Sequence, residues 1–178
     1  MNRALLFLIA SMGISLAAWA QEKAEVVAVE WSAEPVEVVE VVSIQAPVDE
    51  VWDAVKRFDK LHTWAPMFVT TELVEGEATV PGAVRVLTLK DNGGKINETL
   101  TAYDEEAKTY TYIITESPLP MKEYIASISV TDAGDGVTTV EWKGQFIVPV
   151  EGGEEVVAAI REIYNAGLDA LKIKLEGA

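Results

Sequence analysis

Two periods of hydrophobic and polar residues alternate along this chain. From Gly153 to Leu175 the period is that of a helix, uninterrupted by proline. At about 100° per residue, Val156, Val157, Ile160, Ile163, Tyr164, Gly167, Leu168, Leu171 and Leu175 share one side. Ala159, Ala166 and Ala170 widen that side, and Arg161, Glu162, Asn165, Asp169 and Lys172 fill the other. The apolar arc is roughly 200° wide, against a usual stripe of about 100°, so this helix needs a large concave surface to lie in. Glu154 and Glu155 suit its first turn, and Gly177 is placed to end it. Gly167 falls mid-face, where it costs about 1 kcal/mol of helix propensity relative to alanine. Two readings of it stay open: close helix–sheet contact, or space left for a ligand.

Ahead of that helix the period is two. Val36–Ala46 reads as a strand, and Pro47-Val48-Asp49-Glu50 opens a helix whose apolar face is Val48, Val51, Trp52, Val55 and Phe58. Leu61–Trp64 adds a short second turn. Six strands then follow, near Val69–Glu75, Ala83–Lys90, Lys95–Tyr103, Thr109–Glu116, Glu123–Thr131 and Val137–Val148. The breaks between them carry turn residues such as Pro81-Gly82, Asp91-Asn92-Gly93-Gly94 and Gly134-Asp135-Gly136. Short links imply an antiparallel meander. The expected fold is α+β: a curved seven-stranded antiparallel sheet around a long C-terminal helix, with one or two short helices after the first strand. Its convex face must be wet, because one helix cannot cover both sides. In the last strand Val140, Trp142, Gly144, Phe146 and Val148 form the set that faces the helix.

The first residues change the picture. Arg3, the apolar run Ala4–Ala17 and Ala18-Trp19-Ala20 read as a signal peptide cut after Ala20, with an uncleaved anchor as the alternative; cleavage implies a periplasmic or secreted protein with no membrane span after its removal. Gln21–Pro35 reads as an acidic tether, with Trp31 pinned somewhere or the whole extending the first strand; 36–178 is the domain. The formal charge is −15. That argues against nucleic acid and suits either plain solubility or a basic protein partner. With no cysteine and one histidine, His62, thiol chemistry is excluded and neither a metal cluster nor a cofactor is expected.

Ala46-Pro47-Val48-Asp49-Glu50-Val51-Trp52 resembles the opening of the START-like, Bet v 1-like or polyketide-cyclase-like (SRPBCC) superfamily. Val140-Glu141-Trp142-Lys143-Gly144-Gln145-Phe146 with Pro149 ahead of the long helix is similar too, as is Ser117-Pro118-Leu119-Pro120 followed by Tyr124. With an export signal, the chain looks like the MxaD-like periplasmic proteins associated with methanol oxidation. The resemblance implies a helix-grip fold with a cavity between sheet and last helix, and members that bind lipids, hormones or polyketides. It implies a cavity glutamate at Glu98 and a cavity tyrosine at Tyr124, as in plant abscisic-acid receptors. Their carboxylate-binding lysine falls near Thr70, their gate loop is replaced by Asp91-Asn92-Gly93-Gly94, and their polar mid-helix residue falls at Gly167. A hormone-receptor mechanism is therefore not carried over.

Alternation puts Glu98, Leu100 and Ala102 on one face of their strand. If the apolar pair faces inward, Glu98 is a buried carboxylate with a raised pKa, able to anchor a ligand hydroxyl or to act as a general acid or base. An exposed edge glutamate is the alternative reading. Tyr112, Tyr164, Trp142 and Trp64 can line the same space, with plain packing as their alternative. His62 is expected near the cavity mouth, and Arg85 reads as a surface or edge charge. Three functions follow. One is a non-enzymatic binding protein for a small hydrophobic or amphipathic ligand. Another is an MxaD-like accessory protein with a basic periplasmic partner. The third is a cyclase or hydrolase using Glu98 with Tyr124 or His62.

Overall fold

The computed structural model describes residues 28–91 and 93–177. The expected signal peptide and the first seven residues of the expected tether, 21–27, lie outside the described residues. Seven strands form one antiparallel sheet in the order β1 (Val36–Ile44), β7 (Val137–Ile147), β6 (Lys122–Gly134), β5 (Thr109–Glu116), β4 (Lys95–Asp104), β3 (Val84–Leu89) and β2 (Phe68–Glu75). Between β1 and β2 lie helix α1 (Val48–Val55) and a 3₁₀ turn, Phe58–Thr63. Pro47 stands one residue ahead of α1, at its N-cap in extended conformation. Its fixed φ suits that boundary, and Asp49 and Glu50 occupy the first turn.

Helix α2 (Gly153–Glu176) buries Val156, Ile160, Ile163, Tyr164, Gly167, Leu168 and Leu171 against the concave face of the sheet. Val140, Trp142 and Phe146 of β7, and Val148 just beyond it, are buried on that side. The charged side of α2 also ties down the β1 edge. Arg161 pairs with Glu40 at 2.6 Å, Lys172 donates to the Ser43 carbonyl at 2.6 Å, and Glu176 accepts from the Gln45 amide at 2.8 Å. The opposite face of the sheet carries exposed Val41, Val69 and Ile125.

The described end of the tether continues the β1–β7 ladder. Ser32 N–H donates to the Val148 carbonyl and Val150 N–H to that of Glu30, each at 2.8 Å, with Trp31 bridging Pro149. The Lys122 ammonium lies 3.9 Å from the centre of the Trp31 ring, a cation–π contact.

Candidate functional site

The concave interior is polar at one end and aromatic at the other. At the polar end β3 and β4 pair so that Arg85 lies opposite Glu98. Both are buried, Arg85 completely. Arg85 Nε donates to Glu98 Oε2 at 2.5 Å, and Nη1 to the Phe58 carbonyl at 2.6 Å. The guanidinium carbon sits 3.8 Å from the centre of the Phe58 ring and 5.1 Å from that of Tyr112. An aromatic bed of this kind offsets part of the cost of enclosing a cation. Arg85 is thus the ionic centre of the fold and not an edge charge. Its position on the Ala83–Arg85–Leu87 face, between two residues that are themselves buried, is what carries it inward.

Burial pushes the Glu98 carboxyl up and the Arg85 charge pulls it back. Burial likewise opposes the Arg85 charge, but the field of Glu98 and the two neighbouring tyrosines outweighs it and holds the guanidinium protonated. An arginine does not give up its proton in a protein, so a buried Arg85 requires an ionised Glu98.

Two irregularities aim the side chains of this layer. A register shift between Asn97 and Glu98 sets Glu98 opposite Ile114. A second shift, between Leu100 and Ala102, turns Ala102 outward, so it does not share the inner face with Glu98 and Leu100 as alternation predicts. In β6 the register shifts between Lys122 and Ile125. Glu123 there adopts φ +53, a left-handed conformation uncommon outside glycine, and Tyr124 next to it points into the core.

At the aromatic end Trp142 stacks on Tyr164, with ring centroids 4.3 Å apart and planes 12° apart. The Trp142 indole N–H donates to the Tyr112 hydroxyl at 2.8 Å, and the hydroxyls of Tyr124 and Tyr164 are hydrogen-bonded to each other. Burial pushes Tyr110 up to about 12 and raises Tyr112, Tyr124 and Tyr164 well above the ordinary phenol value. A Cβ on Gly167 would lie 2.9 Å from Trp142 Cζ3 and 3.4 Å from Trp64 Cζ3. A Cβ on Gly144 would fall on the Tyr164 hydroxyl. Both glycines therefore serve close packing against rings. The structure takes the first of the two readings of Gly167, helix–sheet contact.

Tyr112, Tyr124, Trp142, Tyr164, Gly167 and Trp64 thus converge on the helix–sheet interface, with Glu98 on the β4 side of it. His62 does not join them. Its backbone N–H donates to Thr71 Oγ1 at 3.1 Å, and of that group it meets only Trp64, in a shallow outer depression that Thr63, Pro66, Ala170 and Lys174 also line. Among the described residues no hydrogen bond links Glu98 to Tyr124 or to His62.

An apolar depression of about 270 Å³ opens where the β3–β4 turn, the β5–β6 loop and α2 meet. Met67, Leu89, Pro118, Leu119 and Ile163 line it, with Lys90, Asp91 and Glu162 at its edge. The inward residues of β3 lead from Leu89 through Leu87 to Arg85, and those of β4 from Ile96 to Glu98. The depression is therefore the outer end of a column whose inner end is the ion pair. Sequence reading placed the turn Asp91–Gly94 and the loop Ser117–Pro120 but assigned their neighbours no role in a site.

Known proteins agree with this architecture. A family model described as polyketide cyclase / dehydrase and lipid transport matches residues 35–176. The abscisic acid receptor PYL10 of Arabidopsis thaliana is 28% identical over 134 residues, covering 72% of this chain and 73% of the receptor. The solved structure of XoxI from Bacillus cereus has 30% identity and a TM-score of 0.70, covering 78% of this chain and 94% of that one. A structure from Thermobifida fusca has 27% identity and a TM-score of 0.72, covering 78% and 92%. Matched over nearly its whole described length, and carrying the seven-stranded sheet gripped around α2, this chain belongs to the polyketide cyclase / dehydrase and lipid transport family of the START-like, Bet v 1-like superfamily.

Proposed function

We propose that this protein binds a small hydrophobic or amphipathic molecule without transforming it, and that the molecule enters at the depression lined by Met67, Leu89, Leu119 and Ile163. The observation that carries the reading is that depression: concave, apolar, and at the outer end of the inward-facing β3 residues that lead through Leu87 to Arg85. The family description, which includes lipid transport, and the small-molecule receptor among the relatives support it. Chemistry at Glu98 is disfavoured because a general base must be free to take a proton. Glu98 is neutralised by Arg85 and stands apart from His62.

Titration with Nile red, an uncharged dye whose emission rises in apolar surroundings, tests the reading. Binding is expected, and Leu119→Glu, a half-buried loop position, should weaken it by about tenfold, which corresponds to ~1.4 kcal/mol. An unresponsive dye, or one indifferent to Leu119→Glu, would refute entry at this depression.

The charge of −15 favours a second reading, as an MxaD-like accessory protein that meets a basic periplasmic partner of a quinoprotein dehydrogenase system. Salt-sensitive co-purification with such a dehydrogenase or its cytochrome would support it. Genes for neither nearby would count against it. Both readings place the protein outside the cytoplasm. N-terminal sequencing of exported material should begin at Gln21, and an intact Met1 would remove that placement.

A further inference from the structure

We infer that this protein carries a docking surface, apart from the depression at the β3–β4 end, for a basic segment of a partner protein with apolar side chains between its lysines or arginines. The inference rests on the accessory reading above, from which it takes a basic partner, and adds the place and the chemistry of contact. One depression of about 410 Å³ is lined by Ala28, Val29, Glu30, Pro149, Val150 and Glu151. Another, of about 380 Å³, lies against Val36, Val148, Gly153, Glu154 and Val157 and shares Pro149 and Val150 with the first. Together they form one groove where the described end of the tether, the chain leaving β7 and the first turn of α2 meet.

The floor of this groove is firmly held. Val150 N–H donates to the Glu30 carbonyl and Ser32 N–H to that of Val148, which fastens the tether to the chain leaving β7. A Cβ on Gly153 would meet Val148 Cγ2 at 2.8 Å, so α2 starts in close contact with the same floor. Above it Val29 stays 58% exposed and Val150 63%. Exposed apolar side chains are ordinary when scattered. Contiguous ones with a polar rim mark a surface that meets something.

The rim defines the partner. Its charged members, Glu30, Glu151 and Glu154, are all carboxylates, and no lysine or arginine lines either depression. Among the described residues none of the three takes part in an ion pair. Glu154 sits in the first turn of α2, where the helix dipole offsets part of its charge; Glu30 and Glu151 have no such compensation. The cation that the tether does contact, Lys122, is held over the Trp31 ring. A basic segment gains twice: its charges meet the rim, and its apolar side chains cover Val29 and Val150. A second copy of this chain brings the same carboxylates, and an anionic lipid surface repels them. Residues 21–27, just ahead of Ala28, set Glu22 and Glu25 against Lys23 and do not supply the basic charge.

Fluorescence anisotropy of a labelled octapeptide of alternating lysine and leucine, added to the protein, tests the inference. The peptide should bind, and more weakly as salt is raised. Reversing the rim with Glu30→Lys and Glu151→Lys together should weaken binding at least about tenfold. Glu72→Lys with Glu75→Lys makes the same change of charge at exposed positions on β2, the far edge of the sheet from β1, and should leave binding within about twofold. Val150→Ser, which keeps the charge, should weaken it several-fold. No binding, or equal loss from the rim and β2 reversals, overturns the inference. So does another occupant: dimerisation or binding to phosphatidylcholine vesicles that depends on Val150, or peptide binding that appears only when residues 21–27 are deleted. Co-purification of a dehydrogenase that survives the rim reversal overturns this surface and leaves the accessory reading intact. Peptide binding as expected, with no dehydrogenase co-purifying, removes the dehydrogenase and keeps the surface.

Discussion

The two ends of the helix–sheet interface are built on opposite terms. At the β7–α2 end, Trp142, Tyr164 and Trp64 close over Gly167 and Gly144 so tightly that neither glycine has room for a Cβ. At the β3–β4 end, a buried arginine and glutamate stand behind Leu87 and Ile96, and a depression lies open outside them. Close packing makes the first end costly to alter in volume. A single buried charge pair makes the second costly to alter in charge. Close packing thus fills the helix–sheet contact at Gly167, while a depression stays open at the β3–β4 end.

Substitutions separate the two ends. The largest expected effect is at the polar end. Glu98→Gln strands the Arg85 charge and should cost about 3–5 kcal/mol, read as a lowered denaturation midpoint. Replacing both Arg85 and Glu98 with methionine should recover most of that loss, since an apolar pair of similar volume is often neutral or stabilising. A Glu98→Gln protein as stable as wild type would show that the pair is not ionic. At the aromatic end, Leu171→Ala should cost about 2–5 kcal/mol, as Leu171 is wholly buried in the grip of α2. An unchanged midpoint would mean that the helix does not hold the sheet. Gly167→Leu should destabilise by about 1–3 kcal/mol, because the new side chain starts 2.9 Å from Trp142. A gain in stability would instead reveal a void there.

The smallest effect at neutral pH comes from the tyrosines. Tyr110, Tyr112, Tyr124 and Tyr164 are all held above the ordinary phenol value by burial, Tyr110 at about 12. A group whose folded pKa is raised stabilises fully below its unfolded value, which for tyrosine is about 10, and loses that contribution as pH climbs toward the folded value. Stability should therefore hold up to about pH 10 and fall between there and about 12, with tyrosinate absorbance rising together with unfolding. Tyrosinate appearing near pH 10 in a still-folded protein would place some of these hydroxyls in contact with water.

The aromatic end was legible in the sequence and the polar end was not. Helical spacing identified Ile160, Tyr164, Leu168 and Leu171 as one face, and alternation identified Val140, Trp142, Gly144 and Phe146 as its partner. Both follow from backbone period alone. Partnership across strands follows from register, and register depends on loop length. If Lys90 and Lys95 flanked the turn as paired residues, Arg85 would face Leu100. In the structure β3 ends at Leu89 and Thr88 pairs with Lys95. The pairing slides by two residues and delivers Arg85 to Glu98. Bulges are equally hard to read. The shift between Leu100 and Ala102 turns Ala102 out against simple alternation. Glu98 was recognisable as an inward carboxylate, but its partner, and with it the sign of every electrostatic expectation at the site, waited on three-dimensional pairing.

The central claim is that ligands enter at the mouth above the ion pair and not at the helix–sheet contact around Gly167. Backbone amide chemical shifts of the protein, followed by NMR as decanol is added, test it most directly. The account predicts saturable shifts that cluster at Leu89, Gly93, Leu119 and Ile163 and reach inward along β3 and β4 to Arg85 and Glu98, with Gly144 and Gly167 left quiet. Shifts centred on Gly144, Trp142 and Gly167, with the mouth unmoved, would contradict it.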